Sequence, residues 1–226
     1  MIIKHFNTNR TMKRIFTAII TVLLITLSVQ AQEKAASGYS PTSVYTLSWT
    51  LSLPLGDFNS FINNISPGGG AFTGRYFLKK GFAVGFEFGW NNYYKEYPRN
   101  TYYGSDGLAI TAIHYTYAFI VPWKVGAYYY FMPSGLADPY VGLSLGGDYM
   151  EEHIMIQEYD IYKTQWGFMM SPEAGVLVKF GRYSHWGANI SAQYWFNTNS
   201  FSFSGNKTYN IMQGLNFNIG LCYILR

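Results

Sequence analysis

Hydrophobic and polar residues alternate along most of the chain with a period of two. Between Ser43 and Leu53, one parity carries tyrosine, tryptophan and leucine, while the other parity carries serine and threonine. Because successive side chains of a β-strand point to opposite faces, this segment predicts a strand with one apolar face. The same pattern predicts seven further strands, near residues 70–78, 82–91, 113–131, 139–150, 166–180, 186–197 and 211–225.

The segment 113–131 is the irregular member of this set, because Pro122 lies in its middle. Proline has no backbone N–H, so within sheets it is confined to edge positions, strand starts and bulges. The segment is therefore either one long strand with an irregularity or two strands divided by a turn. We favour one long strand, which makes the total eight.

The connections between these strands alternate in length. Short ones at 79–81, 132–138 and 181–185 separate long ones near 54–69, 92–112, 151–165 and 198–210. An even number of antiparallel strands with short periplasmic turns and long extracellular loops is typical of outer-membrane barrels. The sequence thus predicts an all-β, eight-stranded antiparallel transmembrane β-barrel with an up-and-down meander.

Charged residues of the predicted strands fall on the parity opposite to the apolar one. Lipid-facing charge would cost about 2–4 kcal/mol at mid-bilayer, so we place these charges in the lumen. An eight-stranded barrel is just wide enough for side chains to fill, which predicts a plugged polar lumen with an ion-pair network. In it we expect Arg75 to face Glu87, Glu87 to reach Lys124, and Asp148 and Glu173 to lie with Lys179. A gated core that passes ions is the alternative.

Composition and the first residues agree with export. Aromatic residues make up 19% of the chain and charged residues 12%, where about 25% charged is usual for soluble proteins. Lys13 and Arg14 precede an uncharged run and a small-residue cleavage site after Ala31, which predicts a signal peptide at 1–31 with Met12 as an alternative start. We expect a periplasmic segment at 32–42 and the barrel at 43–226.

Removing the predicted signal peptide changes the charge balance of the chain. Four of the 16 basic residues and none of the 12 acidic ones lie in residues 1–31, so the mature chain has no net charge. We therefore expect no nucleic-acid partner. No later apolar run approaches the roughly 18 residues of a transmembrane helix.

Four segments carry a family resemblance: Leu53–Phe58, Gly81–Asn91, Pro139–Leu143 and Pro172–Val176. Through them the mature chain resembles the OmpA/OmpX-type small outer-membrane barrels, especially the versions common in Bacteroidetes. The resemblance spans nearly all of the mature chain. It implies a cell outer membrane location, a monomer, contact with outer-membrane lipids and lipopolysaccharide, and insertion by the barrel-assembly machinery. Such proteins usually end in an aromatic residue, whereas this chain ends in Arg226.

Candidate chemistry in the mature chain is sparse. A lipid-modifying enzyme would need a serine, a histidine and an acid at the barrel surface. We expect His114 to point inward, His153 to lie in a loop and His185 to lie beside Ser184 in a short turn. We therefore predict no enzyme, no catalytic residue, no cofactor and no metal site. The single cysteine, Cys222, is expected to be a packed side chain.

The long loops carry the residues best suited to contact an extracellular ligand. The second is rich in tyrosine, and the third carries acidic groups that are either solvated or cation-binding. We select Tyr93, Tyr94, Tyr97, Tyr102, Tyr103, Glu151, Glu152 and His153. In the first loop, Asp57 can cap a short helix whose apolar face packs over the barrel rim, or against lipid or a partner: Phe58, Phe61, Ile62 and Ile65.

The function predicted from these patterns is non-enzymatic. We expect a structural or surface-interaction role, such as adhesion or protection of the envelope, carried by the extracellular loops. A lipid-modifying outer-membrane enzyme is one alternative. A secreted soluble barrel that binds a small apolar ligand is another, and it would place the apolar parity inside.

Overall fold

The computed structural model describes residues 41–103, 109–156, 159–203, 207–209 and 211–226. The predicted signal peptide and residues 32–40 lie outside the described residues. The described elements are β1 Ser43–Leu55, α1 Gly56–Phe61, β2 Ser66–Lys79, β3 Phe82–Tyr103, β4 Ala109–Tyr130, β5 Ala137–Ile156, β6 Tyr159–Lys179, β7 Trp186–Asn197, β8 Phe201–Phe203, β9 Lys207–Tyr209 and β10 Met212–Leu225.

Eight of these strands form a closed barrel in the order β1-β10-β7-β6-β5-β4-β3-β2. Every neighbouring pair is antiparallel, and β1 closes the barrel by pairing with β10 from Ser43↔Leu225 to Leu55↔Gln213. Strands β8 and β9 form a separate two-stranded hairpin. The predicted fold class, with its eight strands and up-and-down meander, is confirmed.

Pro122 lies within one continuous strand, β4, as we predicted. On the β5 side the ladder runs through it without a break, with Pro122 opposite Asp148. On the β3 side the pairing passes from Phe88↔Trp123 directly to Asn91↔Ile120 in the same register. The proline therefore interrupts the ladder on one side only, which fits its missing N–H donor.

The apolar parity faces outward on all eight barrel strands. In β1, Leu47 is 64% exposed, whereas its neighbours Thr46 and Ser48 are 3% and 6% exposed. The same alternation holds in the last strand, where Ile219 is exposed and Asn218 is buried. The soluble alternative required the opposite arrangement and is wrong.

An exposed apolar belt therefore surrounds the barrel. On β5 and β6 its aromatic border is formed by Tyr149 and Trp166, and the next outward positions are the polar pair Glu151 and Thr164. An apolar surface of this extent is far larger than water-soluble monomers expose, so the belt is suited to hydrocarbon. We call the end with α1 and the β3–β4 and β5–β6 hairpins the outer end, and the end with the short turns the inner end. Among the described residues, no helix is long and apolar enough to span a membrane.

Two of the predicted long loops are mostly strand, which corrects our boundaries. The β3–β4 hairpin pairs out to Tyr103↔Ala109, and the β5–β6 hairpin pairs out to Ile156↔Tyr159. These segments are rich in tyrosine, threonine and isoleucine, which favour strands, while their added charges resemble loop composition. Four neighbouring strands thus extend beyond the belt on one side of the barrel.

The lumen is filled in three layers: two apolar clusters near its ends with the buried ion pairs between them, although Glu152 and Lys179 place buried polar groups near the ends as well. We predicted a plugged polar lumen: side chains do fill it, but the prediction did not include the apolar clusters near its two ends. At the outer end lies an upper apolar layer of Phe58, Phe61, Ile62, Tyr93, Ala118, Ile120, Met150, Met169, Trp195 and Met212. At the inner end lies a lower apolar layer of Val44, Ala83, Tyr128, Tyr130, Tyr140, Leu177, Cys222 and Ile224.

Helix α1 seals the outer mouth by placing Phe58 and Phe61 in the upper apolar layer. The rim-packing prediction is correct for this helix, with two differences. Ile65 is 58% exposed and follows the helix instead of sharing its buried face. Asp57 lies in the first turn, and the N-cap position is Leu55, which makes no side-chain cap hydrogen bond. The helix is held by its buried face and not by a cap.

Candidate functional site

An arginine clamp lies where the middle layer of the lumen meets the tyrosines of the lower apolar layer. Arg75 Nη2 lies 2.9 Å from Glu173 Oε1, and Arg75 Nη1 donates to the Tyr130 hydroxyl at 2.7 Å. The guanidinium also lies over the rings of Tyr128 and Tyr140, at 4.1 and 4.3 Å from their centroids. The buried charge is thus met by an ion pair, a hydrogen bond and two close cation–π contacts, while Arg75 Nε has no hydrogen-bond partner.

A second buried ion pair lies nearby, between Lys124 and Glu87. Their Nζ and Oε1 atoms are 2.9 Å apart. Gln193 bridges the pair, since its Oε1 accepts from Lys124 Nζ at 3.1 Å and its Nε2 donates to Glu87 Oε2 at 2.9 Å. Ser171 accepts another hydrogen bond from Lys124. Both ends of the pair are thus hydrogen-bonded as well as charge-paired.

The six predicted lumen charges are all buried, but several pair differently from our prediction. Arg75 lies opposite Gly85 in the β2–β3 ladder and reaches Glu173 instead of Glu87. Glu173 and Asp148 do not pair with Lys179, whose Nζ donates to the Pro133 carbonyl at 2.7 Å. The reason is the small barrel cross-section, which brings long side chains from opposite walls closer than neighbours along one wall.

Sequence reasoning missed the uncharged partners of these charges. Tyr128, Tyr130, Tyr140 and Gln193 are buried and point inward. The available signal was their parity, because each lies on the lumen-facing parity of its strand.

At the outer end, the predicted ligand-contact residues divide into buried and exposed groups. Tyr93 is fully buried, with its ring 4.9 Å from that of Phe58, so its predicted place in a surface loop is wrong. Tyr97 donates to the Phe61 carbonyl at 2.9 Å and so ties β3 to the end of α1. The side chains of Tyr102 and Tyr103 lie outside the described residues.

Tyr94 and His153 belong to a band of outward-facing side chains that we call the outer aromatic row: Tyr94, Tyr117, His153 and Tyr162. Tyr117 and Tyr162 were not among the predicted contact residues. Each is the cross-strand neighbour of the next, on β3, β4, β5 and β6. The His153 ring centroid lies 6.0 Å from those of both Tyr117 and Tyr162. Tyr94 is 49% exposed and Tyr162 is 70% exposed. The row lies beyond the polar level of Glu151, so it is outside the belt.

Glu152 lies just inside this row and is buried at the outer end of the lumen. Its outward neighbour Glu151 is beyond the belt, so Glu152 also lies outside the membrane-spanning part. Burial raises the pKa of Glu152 to about 7, and the nearby charge of Lys163 opposes this rise. Lys163 Nζ donates to the Ser200 carbonyl. Our prediction of Glu152 as a loop residue is wrong, since it is a buried strand residue.

We expect Glu152→Gln to remove a pH dependence of stability between about pH 4.5 and 7. Below this window the carboxyl is protonated in both states, whereas above it the folded protein must bury a charge that the unfolded chain exposes to water. Wild-type stability should therefore fall as pH rises, on the order of 1 kcal/mol per unit of pKa difference. Urea unfolding midpoints from pH 4 to 8 measure this. Glu151→Gln, which alters an outward carboxylate, should keep the wild-type decline, and an unchanged slope in Glu152→Gln would contradict the assignment.

Three histidines follow the predicted signal peptide. His114 points inward, its Nε2 is 3.3 Å from Thr116 Oγ1, and burial lowers its pKa. His153 belongs to strand β5 and not to a loop, which corrects its predicted place. His185 Nδ1 is 3.0 Å from the Ile224 carbonyl, and the adjacent Ser184 hydroxyl bonds within the turn to Trp186. The three histidines therefore lie in three separate environments.

No protein-family model and no curated protein matches the chain. Among solved structures, it is similar to Ail, the attachment invasion locus protein of Yersinia pestis, with 12% identity and a TM-score of 0.49 over 83% of this chain and 100% of that chain. Neisserial surface protein A is 13% identical, with a TM-score of 0.44 over 82% and 99%. The outer membrane protease OmpT from Escherichia coli is 8% identical, with a TM-score of 0.43 over 84% and 99%. The chain is thus similar to outer-membrane barrels in fold.

Proposed function

We propose that this chain is a non-enzymatic outer-membrane barrel that makes contacts at the cell surface through its outer end. The observation that carries the proposal is the outer aromatic row on the strands that extend beyond the belt. It supports a contact role because tyrosine combines a large apolar ring with a polar hydroxyl and loses little conformational entropy on binding.

The filled lumen supports a structural role for the barrel itself. Two apolar layers enclose the ion pairs of the middle layer, and α1 closes the outer mouth. The barrel then serves as a rigid support, and the extended β3–β4 and β5–β6 hairpins carry the surface that a ligand meets. Adhesion and protection of the envelope are the roles that suit such a surface.

The remaining expectations belong to the same proposal. The chain is exported by the signal peptide at 1–31, inserted by the barrel-assembly machinery and surrounded as a monomer by outer-membrane lipids and lipopolysaccharide. The kinship with OmpA/OmpX-type barrels, in their Bacteroidetes versions, is part of it. Fractionation tests the location: the protein should partition with the outer membrane and migrate differently on gels with and without boiling.

Replacing Tyr94 and Tyr162 together with serine should weaken surface binding at least several-fold while leaving the barrel folded. Both side chains are exposed and lie beyond the belt, so their loss removes contact area without opening the core. Binding of expressing cells, or of purified protein in liposomes, to host cells and to matrix-coated plates measures the effect.

Tyr183→Ser provides the control for this experiment. Tyr183 is 73% exposed but lies in the short turn between β6 and β7, at the inner end. It should leave binding unchanged. Equal binding by wild type and the Tyr94/Tyr162 variant, with gel mobility shifts intact in both, would contradict a role for the row.

A further inference from the structure

Asp148 is a lumen carboxylate with no ion pair. It is 0% exposed, and the lumen ion pairs of the described residues join Arg75 to Glu173 and Lys124 to Glu87. Lys124 also donates to Ser171 and Gln193. The nearest positive charges are thus already engaged. A buried carboxylate without a counter-charge is strongly disfavoured.

Two asparagines contact this carboxylate: Asn197 at the end of β7 and Asn199 just after it. Asp148 Oδ2 accepts from Asn197 Nδ2 at 3.1 Å and from Asn199 Nδ2 at 2.5 Å. The Asn199 backbone N–H in turn donates to Asn197 Oδ1 at 3.3 Å. The three residues are at most 2% exposed. One oxygen of the carboxylate is therefore fully used by amide donors.

Two other oxygens in this cluster accept no hydrogen bond. Asp148 Oδ1 and Asn199 Oδ1 are buried and have no hydrogen-bond partner. Because Asn199 Nδ2 contacts the Asp148 carboxylate, its Oδ1, on the same amide group, lies beside that carboxylate. Buried oxygens without donors are rare in folded proteins, and such pairs call for an ordered water or ion.

Gly167 makes the close approach of Asn199 feasible. Gly167 lies opposite Asp148 in the β5–β6 ladder. A Cβ at this position would lie 2.4 Å from Asn199 Oδ1 and 2.9 Å from Asn199 Nδ2. Any other residue would therefore push the amide away from the carboxylate.

We propose that Asp148 and Asn199 bind a hard metal cation, Na⁺ or Ca²⁺, through these two unpartnered oxygens. Hard cations take carboxylate, amide and carbonyl oxygens as ligands. Among the described residues, no group of three or more His, Cys, Asp or Glu side chains could hold a metal ion, so the site depends on mixed oxygen ligands. One carboxylate balances Na⁺ fully and Ca²⁺ by half, which makes the identity of the ion a measurable outcome.

The test uses the purified full-length barrel protein, refolded into detergent micelles after chelation. Equilibrium dialysis against radioactive Ca²⁺ and ²³Na relaxation measure the two ions separately. We expect about one site per chain for one of them, at least about tenfold weaker in Asp148→Asn. Glu96→Gln, which alters an exposed carboxylate on β3, should bind as wild type does.

Gly167→Ala tests the geometry with the carboxylate still present. It should also weaken binding at least about tenfold, because the added methyl group displaces Asn199. Wild-type protein that binds neither ion would overturn the proposal, as would undiminished binding in Asp148→Asn. A protonated-carboxyl infrared band that is present in the wild type and absent in Asp148→Asn would also overturn the proposal, because a proton would then neutralise the carboxylate in place of a metal ion.

Discussion

Arg75→Met should destabilise the barrel by about 3–5 kcal/mol, the usual cost of removing one partner of a buried ion pair. The substitution keeps much of the side-chain volume but leaves Glu173 as an uncompensated charge in the lumen. It also removes the two cation–π contacts and the hydrogen bond to Tyr130. Urea unfolding in lipid vesicles, followed by tryptophan fluorescence and gel mobility, measures the loss.

Two companion variants separate charge from packing. Lys80→Met removes an exposed positive charge in the β2–β3 turn and should change stability little. The double variant Arg75→Met with Glu173→Gln removes both charges and should be more stable than Arg75→Met alone. If the double variant is as unstable as the sum of the two single changes, the ion pair does not explain the effect.

Ile219→Arg should reduce folding stability in a bilayer by about 2–4 kcal/mol. Ile219 is 55% exposed, lies near the middle of β10 and pairs with Trp49 and Ile190, two other exposed belt residues. An arginine there must place its charge in hydrocarbon or distort the bilayer. Reversible unfolding from liposomes in guanidinium chloride provides the measurement.

Thr164→Arg is the matched control for the belt. Thr164 also faces outward, but it lies at the polar level beyond Trp166 and opposite Glu151. The same charge should cost at most about 1 kcal/mol at this depth. Equal costs at the two positions would mean that the belt does not contact hydrocarbon, and the membrane assignment would then fail.

The packing inside the lumen also supports the outer end of the barrel, where the proposed surface contacts are made. The upper apolar layer holds α1 in place through Phe58, whose ring also lies 5.9 Å from that of Trp195. The same layer buries Tyr93 on β3, so α1 and the extended β3–β4 hairpin pack against one apolar cluster. A rigid base of this kind presents the outer aromatic row with little loss of entropy on binding.

Sequence periodicity was sufficient to predict the strands, the outward and inward faces of each strand, and the apolar belt. Alternation is a local property, so Leu47 and Thr46 could be assigned to opposite faces from their neighbours alone. Charge placement followed for the same reason, since burial of Glu87 and Lys124 depends only on parity. The hairpin extensions were missed because Glu151, Glu152 and nearby polar residues resemble loop composition, although their strand pairing is continuous.

Tertiary structure alone decided which lumen side chains meet. Arg75 and Glu173 are 98 residues apart in sequence and lie on opposite walls, and Asp148 meets Asn199 from a different strand end. No local sequence pattern predicts which of these side chains are close together. Their distances depend on barrel closure, on the register of every strand between the two residues and on the length of each side chain. The sequence by itself therefore determined a barrel with an apolar outer surface and charged side chains in its interior. The pairing inside it, and the seal formed by α1, arose only when eight strands closed around a lumen narrow enough for side chains to touch across it.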